Sequence, residues 1–268
     1  MTFGREIEGP TFVRRQYASY PFHFCRAHRF AGDQPDMVTL YLQSLSGGIY
    51  ENERLSLGVV TEPGTRAHVT SQASTIVHSM DAGHAETAVA IEAEEGSLLE
   101  YMPDPLILFP GARLSATTSI RRHATAIVIC ADAFLTHDPE GAGRLFGCLD
   151  NRLDITDCSG KLLARDRLVL SGDAFLSRRV MEKGGYAALA TLTVVAPQAL
   201  SIRLVEVMRE ALDRSADVYA GVSTLPNDCG AWARLLAADG ASLRAAIEAA
   251  WVATREAVTG ERPGHRRK

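Results

Sequence analysis

From Met37 to about Leu170 apolar and polar residues alternate with a period of two, and a segment with that period cannot gather one apolar face as a helix. In "ERLSLGVV" Leu55, Leu57 and Val59 alternate with Arg54, Ser56 and Gly58. In "TAVAIEAEEG" Thr87, Val89 and Ile91 oppose Ala88, Ala90 and Glu92. "LSATTSI", "ATAIVIC" and "RLDITD" add further short strands, with turn signals at "EPGT", "DAGH", "EEGS", "DPEG" and "DCSG". Many short strands at even spacing, with no long helical pattern between them, predict a mainly β fold of stacked antiparallel β-sheets.

Helical periodicity comes late, and the reading is two or so α-helices in the C-terminal third. "PQALSIRLVEVMREALDR" aligns Ile202, Val205, Met208 and Leu212 after Pro197, where a helix start tolerates proline. "DGASLRAAIEAAWVATREAVTG" aligns Leu243, Ile247, Trp251, Thr254 and Val258. Asp239 or Ser242 can cap its start, and Gly260 with Pro263 stops it. No internal repeat, low-complexity tract or linker divides the chain. The expectation is one domain over residues 1–268, with residues 1–16 and 261–268 as flexible ends.

One stretch interrupts the alternation. "LEYMPDPLILFPGARL" carries Pro103, Pro105 and Pro110, which lack a backbone donor and push Met102, Asp104 and Phe109 into extended conformation. A central strand cannot run through 102–105 with two ladder donors missing. The stretch reads as a stiff corner followed by a short strand, Leu106–Phe109, with Asp104 on its stiffest part.

The bulk numbers exclude several functions. At 268 residues and a net charge of −4 the chain has no electrostatic footprint for nucleic acid, apart from a short basic end at Arg262, Arg266, Arg267 and Lys268. Cys25, Cys130, Cys148, Cys158 and Cys229 are odd in number, without C-x-x-C, which argues against a disulfide framework and for a reducing compartment. The start "MTFGREIEGPTFVRRQY" has no apolar segment of a signal peptide. "YAALATLTVVAPQAL" is too short to span a bilayer. The expectation is a cytoplasmic protein without nucleic-acid or membrane partners.

Catalytic templates find no match. There is no G-x-S-x-G, and "EGAGRLFG" has Phe146 in the third glycine position of a dinucleotide loop. In "SGDAFL" Ala174 stands where a nucleophile would be, and no H-E-x-x-H occurs. The best remaining constellation is "HSMDAGHAE". If Met80 pairs with Ala85 across a tight turn, His78, Asp81, His84 and Glu86 cluster as imidazole and carboxylate donors suited to nickel or zinc. The competing reading is a polar turn without a ligand. A metal-dependent β-sandwich enzyme using His78, Asp81 and His84 stays open at this point.

Four stretches, in order, resemble one family. "SLSGGIYENERLSL" (44–57) is similar to the Gly-Gly block of the urease accessory protein UreD (UreH) family, "HVTSQASTIVHSM" (68–80) to its T-x-Q-A-x-T strand, and "LLEYMPDPLILFPGARL" (98–114) to its L-E-Y-x-P-D-P corner. "AGVSTLPNDCGAWARLL" with the Trp251 segment resembles its C-terminal block. Glu53 replaces the usual aspartate, Ile76 a lysine and Glu86 a common glutamine, and Trp232 interrupts an aliphatic strand. The first 36 or so residues look shorter than the usual start.

The resemblance implies no enzyme. It implies a scaffold that joins UreF and the GTPase UreG, docks on the urease apoprotein and assists nickel delivery; a dimer within the accessory complex is a further expectation. It implies stacked β-sheets with a few C-terminal helices, no permanently held cofactor, and transient nickel(II) in an internal water-filled tunnel. Asp104, Glu100 and Glu53 are the expected wall carboxylates. Leu243, Ile247 and Trp251 are the expected apolar interface with UreF. A structural adaptor that never touches metal is the remaining alternative.

Overall fold

The structure, a computed structural model, describes residues 1–6, 9–177, 185–215 and 217–264. The first strands are β1 (Thr2–Arg5), β2 (Thr11–Arg15), β3 (Phe22–Phe24), β4 (Met37–Ser44), β5 (Arg54–Thr61), β6 (Arg66–Ser71), β7 (Thr75–Val77) and β8 (Ala85–Ala93). There follow β9 (Leu98–Tyr101), β10 (Leu106–Leu108), β11 (Arg113–Arg122), β12 (Ile127–Thr136), β13 (Cys148–Asp157) and β14 (Leu162–Ser171). Helix α1 (Gly172–Ser177) precedes β15 (Ala188–Val195), α2 (Ser201–Leu212), β16 (Val218–Thr224), β17 (Gly230–Ala237) and α3 (Gly240–Thr259).

Two sheets face each other, but they are not the antiparallel stack the alternation suggests. One runs β14-β13-β11-β8-β5-β1-β2 and the other β16-β17-β15-β12-β9-β6-β4-β3, with β7 and β10 beside β12. β5, β8, β11 and β13 are parallel neighbours, and so are β4, β6, β9 and β12. From β4 to β13 the long strands alternate between the two sheets, with the short β7 and β10 following β6 and β9 on the side of the second, so the chain winds as a solenoid and pairs with its own previous coil. Met37, Arg66, Leu98 and Ile127 stand in register as the openings of successive coils, a structural repeat without a sequence repeat. Antiparallel pairing returns at the ends, in β1–β2, β13–β14 and β12–β15–β17–β16.

Stacked coils place like positions in rows. Val59, Ile91, Ile120 and Ile155 form one inward row, each at most 1% exposed. Burying such a side chain contributes about 1.5–3 kcal/mol, so the row is a large part of the drive that closes the two sheets. The last helices cover the outer face of the second sheet, where Ile129, Ala131, Leu192 and Val194 meet Leu204, Met208, Leu243 and Ala246. Helix α3 starts as expected, with the Asp239 side chain accepting from the Ser242 amide at 2.7 Å. It ends at Gly260, whose φ of 77° lies in the left-handed region. In α2, Val205, Met208 and Leu212 are buried, but Ile202 is 72% exposed and the buried face turns through Leu204 instead.

The first sixteen residues, expected as a flexible end, carry two strands. β1 pairs with β2 and, in parallel, with β5, and Phe3 is fully buried in the inter-sheet core. The alternation from Phe3 is too short to read against its flanks, so tertiary pairing decides it. At the other terminus the Gly264 amide donates to Asp33 Oδ1 at 2.8 Å. Arg266, Arg267 and Lys268 lie outside the described residues. Phe3→Ala is expected to cost about 3–5 kcal/mol, the range for truncating a buried aromatic, read as a lower urea midpoint at unchanged slope.

Candidate functional site

Not every row fills the inter-sheet space. Leu55, Thr87, Ala116 and Asn151 form the row four residues along the strands from the Val59 row, and the short side chains of Thr87 and Ala116 leave room there. Opposite them stand Ser71 of β6 and Asp132 of β12. The result is a cavity of about 140 Å³ walled by apolar Leu57, Val89 and Phe134 and by two carboxylates, Asp104 and Asp132. A surface groove of about 220 Å³ shares Phe22, Leu42, Ser44, Ser71 and Thr75 with it, and adds Gln43, Ser46, Gln72 and Ser74. The groove is a hydroxyl- and amide-lined approach to the cavity.

Asp104 sits where the prolines put it. β9 ends at Tyr101 and β10 begins at Leu106, so the corner is the predicted one, with the strand at Leu106–Leu108. The Asp104 amide donates to Ser71 Oγ at 2.7 Å, and Ser71 Oγ donates to Asp104 Oδ2 at 3.3 Å. Thr70 Oγ1 donates to the Met102 carbonyl at 2.6 Å. The other carboxylate oxygen, Oδ1, lies 3.8 Å from Arg244 Nη2 on α3.

Asp132 was not anticipated. It is the lone acid in an apolar strand, "IVICADAFL", and that is the signal that could have marked it. Alternation along β12 sends Ile129 and Ala131 to the helices and Cys130 and Asp132 to the interior. What exposure it keeps is to the cavity. Burial raises its pKa to about 6, the charge of Asp166 adds to that, and a hydrogen bond from Asn151 opposes it.

Glu100 does not line this cavity. It belongs to the row Thr39–His68–Glu100–Ile129 on the outer face, one residue out of phase with Tyr101. There it is fully buried under α3 and binds Arg255 through both oxygens, while His68 Nδ1 donates to Oε2 at 2.6 Å. Arg255, 1% exposed, also reaches Asp33 Oδ1 at 3.5 Å, and the Trp251 ring lies against both the His68 ring and the guanidinium. Burial disfavours the Glu100 charge, but the hydrogen bonds from His68 and Arg255 and their positive charge outweigh it and hold the pKa at about 2. This is a clasp of the fold.

The remaining expected site residues disperse. Glu53 accepts from the Tyr50 amide at 2.9 Å, capping its own turn away from the cavity. The Met80–Ala85 hairpin does not form, because β7 pairs with β10 while β8 lies in the opposite sheet. Residues 78–84 are a coil corner. His78 Nε2 donates to the Gly47 carbonyl at 3.0 Å and its ring stacks on Tyr50. The Asp81 amide faces Glu51, and His84 Nε2 lies 3.3 Å from Glu86 Oε1. Among the described residues no three of His, Cys, Asp and Glu gather to hold a metal ion. Leu243 and Trp251 are buried and Ile247 half-buried against the protein's own sheet and α2, so the surface their stripe needs is supplied by the chain itself.

The model of the UreD urease accessory protein family matches residues 1–268. The chain belongs to the UreD family. It is 42% identical to urease accessory protein UreD 1 of Pseudomonas syringae pv. syringae, over all of this chain and 94% of that one. It is 40% identical to UreD 1 of Pseudomonas syringae pv. tomato over the same shares. Identity to UreD 1 of Methylorubrum populi is 42%, over 97% of this chain and 88% of that one. In this UreD family member no described helix is long and apolar enough to cross a membrane, and all five cysteines are free thiols.

The clasp has a pH signature. Because folding depresses the Glu100 pKa from 4.5 to about 2, its contribution is complete above pH 4.5 and is lost as pH falls toward 2. Glu100→Gln leaves Arg255 buried and underpaired, and is expected to cost about 3–5 kcal/mol at neutral pH. Urea unfolding of the variant should also lack that acid-dependent component.

Proposed function

We propose that this chain is a non-enzymatic, cytoplasmic urease-maturation factor that docks on the urease apoprotein with UreF and UreG and passes nickel(II) through its inter-sheet cavity. The observation that carries the reading is the pair Asp104 and Asp132 on the wall of one cavity, approached by a hydroxyl-lined groove. A hydrated dication exchanges water for oxygen donors, and hard oxygen walls with few charges bind it loosely enough to release it. Each carboxylate attracts the ion by about 1–4 kcal/mol per unit of its charge at contact distance, across the range from water to a protein surface. Asp104 is suited to this because its corner cannot follow the ion. Asp132 stands on the same wall, and a cation beside it would favour its charged form, against the burial that raises its pKa to about 6.

The test is co-expression with the urease subunits and the other accessory proteins at limiting nickel. Asp104→Asn and Asp132→Asn should keep the complex and lower the nickel content and activity of the matured urease. Activation by both variants at the wild-type level would leave only the structural adaptor. His78→Ala with His84→Ala should leave activation unchanged, and a large loss there would favour the turn as a metal site.

Asp132→Asn also separates cargo from folding. Folding raises the Asp132 pKa from 3.8 to about 6, so its contribution is fully present below pH 3.8 and is lost as pH rises through 6. At neutral pH the ionised group is therefore a burden on the fold. The amide variant should be more stable there by on the order of 2–3 kcal/mol, measured by urea unfolding, while delivering less nickel.

A further inference from the structure

The proline corner is a partition between two spaces. Pro103, Asp104 and Leu106 line the inner cavity, whereas Pro105 lines a separate surface hollow of about 410 Å³. That hollow is bordered by Ser74, Leu135 and the first turns of α3, including Arg244 and Glu248. Arg244 thus reaches the carboxylate of Asp104 from outside, its side chain 62% exposed and that of Asp104 only 5%.

The two oxygens of Asp104 are held differently. Oδ2 accepts from Ser71, whose own oxygen is fixed by the Asp104 amide. Oδ1 faces Arg244 at 3.8 Å, the long limit of an ion pair. On the same helix Arg255 is bonded to both oxygens of Glu100, which ties α3 to the sheet. Movement is left to the Arg244 side chain itself. Glu248 lies one turn further along the same wall of the hollow, within reach of a displaced guanidinium, since residues four apart on a helix are neighbours.

We propose that Arg244 is a tethered counter-cation for Asp104, which a divalent cation must displace before it engages the cavity, with Glu248 as the resting partner of the displaced guanidinium. This rests on the reading of the cavity as a cation path. It makes cation entry a competition between two positive charges for one carboxylate oxygen.

The experiment is titration of the full-length chain with nickel(II) chloride alone, read against a chromophoric chelator. Arg244→Gln should bind nickel(II) about two- to fivefold more tightly, the equivalent of an exposed ion pair, and Arg244→Lys should stay near wild type. Glu248→Gln should bind more weakly than wild type, because the displaced arginine loses its second partner. Asp104→Asn should bind more weakly still and be indifferent to a further Arg244→Gln change. Equal affinity of wild type and Arg244→Gln, with Asp104→Asn weakened, would overturn the counter-cation and leave the cation path standing. Wild-type affinity in Asp104→Asn would overturn the path itself.

Discussion

A carboxylate sealed from water needs positive partners, and Glu100 takes two from distant parts of the chain. His68 comes from the neighbouring strand of the previous coil, and Arg255 from the last helix. Arg255 brings with it Asp33 and, through Asp33, the Gly264 amide. The N-terminal loop, the middle of the solenoid and the C-terminal helix therefore meet at one charge cluster. Loss of Glu100 or of Arg255 would leave the other charge without its bidentate partner in a low-dielectric site. It also sets where α3 lies, and so which side chains of that helix border the proline corner.

The same strand serves two purposes through its pleat. Glu100 points to the helices and Tyr101 to the interior, and three residues after Tyr101, past the corner, Asp104 faces inward again. On β12 the same rule separates Ile129 from Asp132. Along the coil axis the inner rows change from the large aliphatics around Val59 to Thr87, Ala116 and Ser71. Space and charge are thereby brought together at one level of the sandwich, between two well-filled apolar clusters.

Much of this was legible in the residues, and what was not has identifiable causes. Strands, late helices, the Asp239 cap and the Gly260 stop follow from local chemistry, as does the Asp104 corner, because proline acts on its own neighbours. The solenoid pairing was not legible, since a period of two is the same for a strand that pairs with the next one and for a strand that pairs with the next but one. Without that pairing, an acid in a strand cannot be assigned to the helix face or the interior. Glu100 was therefore expected at the cavity and Asp132 was overlooked. The cluster at His78, Asp81 and His84 depended on a hairpin, and it dissolves once residues 78–84 cross between sheets. The family resemblance, resting on stretches rather than on pairing, is confirmed over residues 1–268.

A solenoid keeps its backbone hydrogen bonds between coils, running parallel to the axis, while the lumen is lined by side chains alone. Widening, narrowing or recharging the lumen thus breaks no ladder bond. Each coil contributes its own few residues to the lining, so the bore can be altered level by level while the frame stays intact. Such a frame lets the volume and the charge of the interior change by single replacements inside it.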